Sequence, residues 1–203
     1  MHKTEKKARI AVLVSGGGTN LQALIDAEKS GILHSGEIVL VISGKEGAYA
    51  LTRAQNNNIS TLTITKKQCG SAGAFEKALI SALDDAGIDL IVLAGFLSIL
   101  GETFIRHFEN RIINVHPALI PSFCGKGFYG LKVHEAALAY GVKVTGATVH
   151  FVNEIPDGGD IIAQKAVYIE PGDTPEVLQR RVMEQAEWLL LPQAVEDVAK
   201  SLS

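Results

Sequence analysis

Residues 8–20 read ARIAVLVSGGGTN, and this stretch decides the class of fold. Ala8 to Ser15 is apolar except for Arg9 and the closing serine, which is the composition of a buried strand. Gly16-Gly17-Gly18 ends it. Thr19 to Ser30 then carries Leu21, Leu24 and Ile25 at helical spacing, with Gly31 as a stop signal. The turn between them has a possible chemistry. A helix start leaves backbone N–H groups unpaired and carries a partial positive charge, and glycines let an anion approach, so the turn reads as a phosphate cradle. The alternative is a tight strand-to-helix turn with no ligand. No Lys-Ser/Thr follows the last glycine at Walker spacing, and the second strand ends in Ser43-Gly44-Lys45 without an acidic residue for a ribose. A mononucleotide-like phosphate is therefore expected, not ATP or NAD.

Outward from this unit the pattern repeats. Further strands are expected at Glu37–Ser43, Thr61–Thr65, Leu90–Ala94 and Arg111–His116. Helices are expected at Ala48–Asn57, at Ala74–Ala86 with Phe75, Leu79, Ile80 and Leu83 inward, and at Gly101–Phe108. The second half differs. A helix over Leu131–Tyr140 precedes two strands, Val144–Val152 and Asp160–Ile169, joined through Asp157-Gly158-Gly159 as an antiparallel addition. The last helix starts with Thr174 as N-cap and Pro175 at its first position, and Pro192 should kink or split it. The expected fold is α/β, one domain over residues 1–203, an open and mostly parallel sheet flanked by helices with an antiparallel C-terminal addition. Residues 1–7 read as a solvated tail. No internal repeat, low-complexity segment or linker is visible.

Composition narrows the function classes. Hydrophobic residues make up 47% and charged residues 20% of the 203, which rules out wholesale disorder. The formal net charge of -3 disfavours a nucleic-acid binder. Cys69 and Cys124 form neither a disulfide framework nor a metal-ligand spacing, so a reducing, cytoplasmic setting is expected. The apolar run Ile10–Val14 is too short for a signal segment, and Leu90–Leu100, broken by Gly95 and Ser98, is too short to span a membrane.

Two further constellations bear chemistry. In Asn114-Val115-His116-Pro117, alternation puts Asn114 and His116 on one side of a strand that Pro117 ends, at the sheet edge where open α/β folds bind ligands. A carboxamide and an imidazole there can both donate to a developing oxyanion, although a structural strand-end histidine fits the same pattern. Asp157, in Pro156-Asp157-Gly158-Gly159, is first a turn residue; if it reaches His116, its charge raises that pKa. His134-Glu135 opens like a zincin helix, but position 138 is Leu, so no metal site is expected. Cys124 has no Cys-His signature, and the segment Phe123–Tyr129 reads as a flap over a site.

Taken in order, Ser15-Gly16-Gly17-Gly18-Thr19-Asn20, Leu93–Leu100, Asn114–Pro121 and Thr148–Val152 leading to Asp157-Gly158-Gly159 resemble the phosphoribosylglycinamide formyltransferases of purine synthesis, over about Ile10–Pro192. The resemblance implies a Rossmann-like formyltransferase fold and direct transfer of a formyl group from 10-formyltetrahydrofolate to the amine of glycinamide ribonucleotide, without a metal. It implies that Asn114 and His116 stabilise the tetrahedral intermediate, with His116 the proton donor, and that Asp157 raises the pKa of His116. Gly18, Thr19 and Asn20 would hold the phosphate and Glu187 the ribonucleotide. Leu97, Ser98, Ile99, Leu100, Asn114, Val152, Asn153, Glu154, Ile155, Pro156 and Asp157 would line the folate pocket. Small-molecule substrates, no nucleic acid, no membrane, and a monomer or homodimer are implied.

The chain departs from the family pattern in three places. Ser98 stands where many members carry Arg. The flap reads Cys124-Gly125-Lys126-Gly127-Phe128-Tyr129-Gly130, without the usual nearby His-x-His. The last helix holds one extra residue before Glu187, which Trp188 follows in place of His. Two related enzymes use the same catalytic set: methionyl-tRNA formyltransferase, which adds a C-terminal tRNA domain, and formyltetrahydrofolate deformylase, which adds an N-terminal regulatory domain. The length of this chain disfavours both. A non-catalytic nucleotide-binding module is the remaining alternative.

Overall fold

The computed structural model describes residues 6–202; of the expected tail, residues 1–5 lie outside the described residues, and Lys6 and Lys7 are exposed. Seven strands form one sheet: β1 (Ala8–Val14), β2 (Gly36–Ser43), β3 (Ser60–Thr63), β4 (Leu90–Leu93), β5 (Ile112–His116), β6 (Val144–Phe151) and β7 (Ile161–Tyr168). Their order is β3-β2-β1-β4-β5-β6-β7. The first five pair in parallel, and β6 and β7 are antiparallel additions. The helices are α1 (Thr19–Ser30), α2 (Tyr49–Gln55), α3 (Lys66–Cys69), α4 (Ala72–Asp85), α5 (Glu102–His107), α6 (Leu131–Tyr140), α7 (Pro175–Val182) and α8 (Trp188–Leu202), with a π-helical turn at Met183–Glu187 between the last two.

The continuous apolar run of β1 has a direct cause: both its faces are covered. Ile10, Val12 and Val14 pack with α1, α2 and α8, while Ala11 and Leu13 pack with α4 and α5. β4 does the same, Leu90 and Val92 facing one layer and Ile91 and Leu93 the other. No helix among the described residues is long and apolar enough to cross a membrane.

Strand order reverses at β1: the chain moves outward through β2 and β3, then returns to the other side of β1 as β4. Such a switch point opens a crevice at the carboxyl ends of the two central strands. The Ser15 hydroxyl accepts from the Leu97 N–H at 3.0 Å and ties the loops after β1 and β4 together. Gly18 caps α1 with φ +73°, and a Cβ there would lie 2.6 Å from the Cβ of Ala50, so both conformation and packing require glycine.

Two expectations are corrected. The third strand stops at Thr63; Thr65 instead opens α3 with a capping box, its hydroxyl accepting from the Gln68 N–H while the Gln68 side chain accepts from the Thr65 N–H, both at 3.1 Å. The last helix is neither split nor ended at Pro192, which lies inside α8. The irregularity comes earlier, in the π turn. The N–H that Pro192 lacks would have paired with the carbonyl of Trp188, the first residue past that turn, where the regular ladder is already broken.

Candidate active site

β5 positions the first two groups. Ile112 packs in the α4–α5 layer, and alternation carries Asn114 and His116 on the same side to the carboxyl end of the strand. Asn114 is half-buried and His116 buried. Register sets Asn114 beside Leu93 of β4 and opposite His150 of β6. Asp157 arrives from the turn after β6. It adopts φ +55°, which only a few non-glycine residues accept. Gly159 follows with its Cα so near the carbonyl of Phe151 that a Cβ would sit 1.8 Å from that oxygen. This tight fold-back returns the aspartate to the sheet edge.

There the three distant groups converge. The Asp157 carboxylate lies 3.6 Å from His116 Nδ1 and 3.6 Å from His150 Nε2. The flap joins them: the Gly125 N–H donates to Asp157 Oδ2 at 2.7 Å, and His116 Nε2 donates to the carbonyl of Phe123 at 2.8 Å. Phe123 is held by its ring against Phe128 and Tyr140. Burial works against the Asp157 charge, but the neighbouring imidazoles and the Gly125 N–H outweigh it and hold the carboxyl below its ordinary value. For His116 the balance falls the other way. Burial lowers its pKa, and the opposing effects of Asp157 and the Phe123 carbonyl do not fully restore it. Asp157 raises this pKa, as expected, but by less than burial lowers it.

Two cavities open from this point, and Phe96, Asn114 and Asp157 line both. One is bounded by Ser98, Ile99, Leu100, Val152 and the 153–156 turn. It takes in the residues expected around a folate except Leu97, which faces the adjoining clefts. The other, with a volume of about 250 Å³, is lined by Asn20, His116, His134, Gln179, Met183 and Glu187. Of the expected phosphate contacts, Gly18 is the N-cap of α1, and Thr19 is exposed at its first position. Asn20 is buried and donates from Nδ2 to Glu187 Oε2 at 2.7 Å. Glu187 comes from the π turn, and burial pushes its carboxyl pKa up despite that bond. The turn takes up one residue more than an α-helical turn would, which accommodates the extra residue noted before Glu187.

Two histidines join the site that the sequence reading did not assign to it. His134 is fully buried and faces the second cavity, with neither ring nitrogen hydrogen-bonded; burial, then the nearby His116, lowers its pKa to about 4. His150 donates from Nδ1 to the carbonyl of Phe151 at 2.8 Å, and its Nε2 lies 3.2 Å from Asn114 Nδ2. Thr145 to His150 are all buried in β6, so no alternation singles His150 out, and nothing local marks its partners.

The formyl transferase family model matches residues 8–195. The trifunctional purine biosynthetic protein adenosine-3 of Gallus gallus is 45% identical over 193 residues, covering 95% of this chain and 18% of that protein. The chloroplastic phosphoribosylglycinamide formyltransferase of Arabidopsis thaliana is 40% identical, covering 91% of this chain and 63% of its own length. The chain thus spans under a fifth of the first relative and under two thirds of the second. Among solved structures, glycinamide ribonucleotide transformylase 1 from Symbiobacterium toebii aligns with a TM-score of 0.90 at 38% identity, over 98% of this chain and 94% of that one. The phosphoribosylglycinamide formyltransferase from Brucella melitensis aligns with a TM-score of 0.87 at 41% identity, over 96% of each.

Proposed function

The chain belongs to the formyl transferase family, and from that premise we propose that it moves the formyl group of 10-formyltetrahydrofolate to the amine of glycinamide ribonucleotide. One observation carries the reading: two cavities meet at Asn114 and Asp157, the first walled in part by Ile99, Leu100, Val152 and Ile155 and the second by Asn20, His134 and Glu187. A pterin fits the first, where Ile99, Leu100, Val152 and Ile155 can face a flat ring and Asn114 and Asp157 its polar edge. A ribonucleotide fits the second, whose wall includes Asn20 from the first turn of α1. Their junction is where amine and formyl carbon must touch.

The chemistry needs little beyond alignment and charge stabilisation. The neutral amine attacks the formyl carbon, and a C–N bond forms as the carbonyl π pair moves onto oxygen. The Asn114 carboxamide donates to that oxygen, and protonated His116 donates beside it once its Nε2 leaves the Phe123 carbonyl. Collapse breaks the bond to N10 of the folate, which takes up a proton while the new amide nitrogen loses one. His116 is the donor in this scheme, and Asp157 favours its protonated form against the effect of burial. Gly18 and Thr19 receive the phosphate at the start of α1; Asn20 orients Glu187 toward the ribonucleotide. Two unpaired thiols, Cys69 and Cys124, fit a reducing compartment such as the cytoplasm.

The test is to incubate the protein with 10-formyltetrahydrofolate, with and without glycinamide ribonucleotide, and follow folate and formylated product. The reading expects product and tetrahydrofolate in equal amounts, only when the amine is present. Folate deformylation without the amine would point to a hydrolase; no loss under either condition would leave a binding module.

A further inference from the structure

We infer that His150 is a positioning residue that decides which end of the Asn114 carboxamide faces the reacting formyl oxygen, an inference that rests on the formyl-transfer reading above. A carboxamide has a donor end and an acceptor end of nearly equal size. Only the donor end can stabilise an oxyanion, and turning the group over would put a partial negative charge against the developing one. Something must therefore hold the amide one way round.

The chain of constraint starts in the backbone. The Phe151 carbonyl can only accept, so His150 Nδ1, 2.8 Å away, carries a hydrogen. A neutral ring with its hydrogen on Nδ1 offers a lone pair at Nε2. That nitrogen stands 3.2 Å from Asn114 Nδ2, so one amide N–H meets the lone pair. The flipped amide would set its oxygen against the same lone pair. Asp157 Oδ1 lies 3.6 Å from the same nitrogen, beyond hydrogen-bond range. The second amide N–H is then free for the substrate.

The sheet builds this in. Asn114 and His150 are direct cross-strand partners in the β5–β6 pair. The pairing of β6 with β7 shifts register between Val149 and His150, the kind of irregularity that re-aims a side chain. The imidazole is buried, so water does not compete for its lone pair.

Nitrogen-15 spectra of the intact protein near pH 8 test the tautomer directly: His150 should show a protonated Nδ1 and an unprotonated Nε2. The opposite tautomer or an imidazolium would overturn the inference whatever the enzyme does. In turnover assays, His150→Phe should lower kcat about 10²–10³-fold, the cost of losing an oxyanion donor, with little change in KM for either substrate. His150→Gln, which returns an acceptor near the Nε2 position, should recover at least about tenfold of that loss. In an Asn114→Ala background, His150→Phe should cost less than about threefold more, because the group it positions is gone. Additive losses, or His150→Phe turning over like the wild type, would overturn the inference. Absence of formyl transfer by the unmutated protein would instead overturn the functional reading, and the nitrogen spectra would still judge the tautomer.

Discussion

Asn114 has two N–H bonds and gives one to His150, so its whole contribution to the reaction passes through the other. Asn114→Ala should therefore act on kcat, lowering it about 10²–10³-fold with smaller changes in KM; steady-state kinetics near wild-type turnover would contradict its role. Asp157 acts on His116 through charge. Asp157→Asn removes the larger of the two raising effects and leaves only the Phe123 carbonyl against burial, so His116 should titrate at lower pH than in the unmutated protein, as read by NMR of the ring protons. His134 makes a third prediction. Its folded pKa of about 4 lies below the ordinary histidine value of 6.5, so the unfolded chain binds more protons between those values. Its contribution to stability is complete above about pH 6.5 and is lost as pH falls toward 4. His134→Leu should reduce the drop in Tm between pH 7.5 and pH 5 by several degrees. Asn114 and His116 were legible in the sequence because alternation and Pro117 placed them. His150 was not, because its role depends on a carbonyl and a cross-strand neighbour, neither of which a one-dimensional pattern contains.

Among the elements, the most buried were the most legible. Both faces of β1 and β4 are covered, so their sequences are nearly all apolar, and the bounds of α1 and α6 match expectation because glycines stand just past them. α3, four residues long, has no buried face and so no periodicity to read. The π turn was equally hidden: it changes the winding of a helix without changing its composition. This turn predicts an unusual tolerance. Deleting exposed Gln185 should convert it to α-helical winding while keeping α7 and α8 in phase, with a Tm change below about 5 °C. Deleting Ala78 in the middle of α4 should instead rotate everything beyond it by about 100° and abolish the cooperative melt.

Across the whole molecule, the two halves of the chain complete one another. The layer over β1 includes Leu191, Ala194, Val195, Val198 and Ala199 of α8. Glu196, on the same helix, is buried and accepts from the Ser35 N–H and the His34 N–H at 2.9 Å and from the Ser35 hydroxyl at 2.7 Å. Burial opposes its charge, but these bonds prevail and hold its pKa below the ordinary value. Glu196→Ala leaves those donors without their acceptor and should cost about 1–3 kcal/mol, seen as a fall of several degrees in Tm. The clamp also bears on how the protein is born. Translation delivers β1 long before α8, and growing chains acquire structure from the amino end. During that interval the flank of β1 that α8 covers has only α1 and α2 to shield it, and the distant helix completes the seal when it emerges.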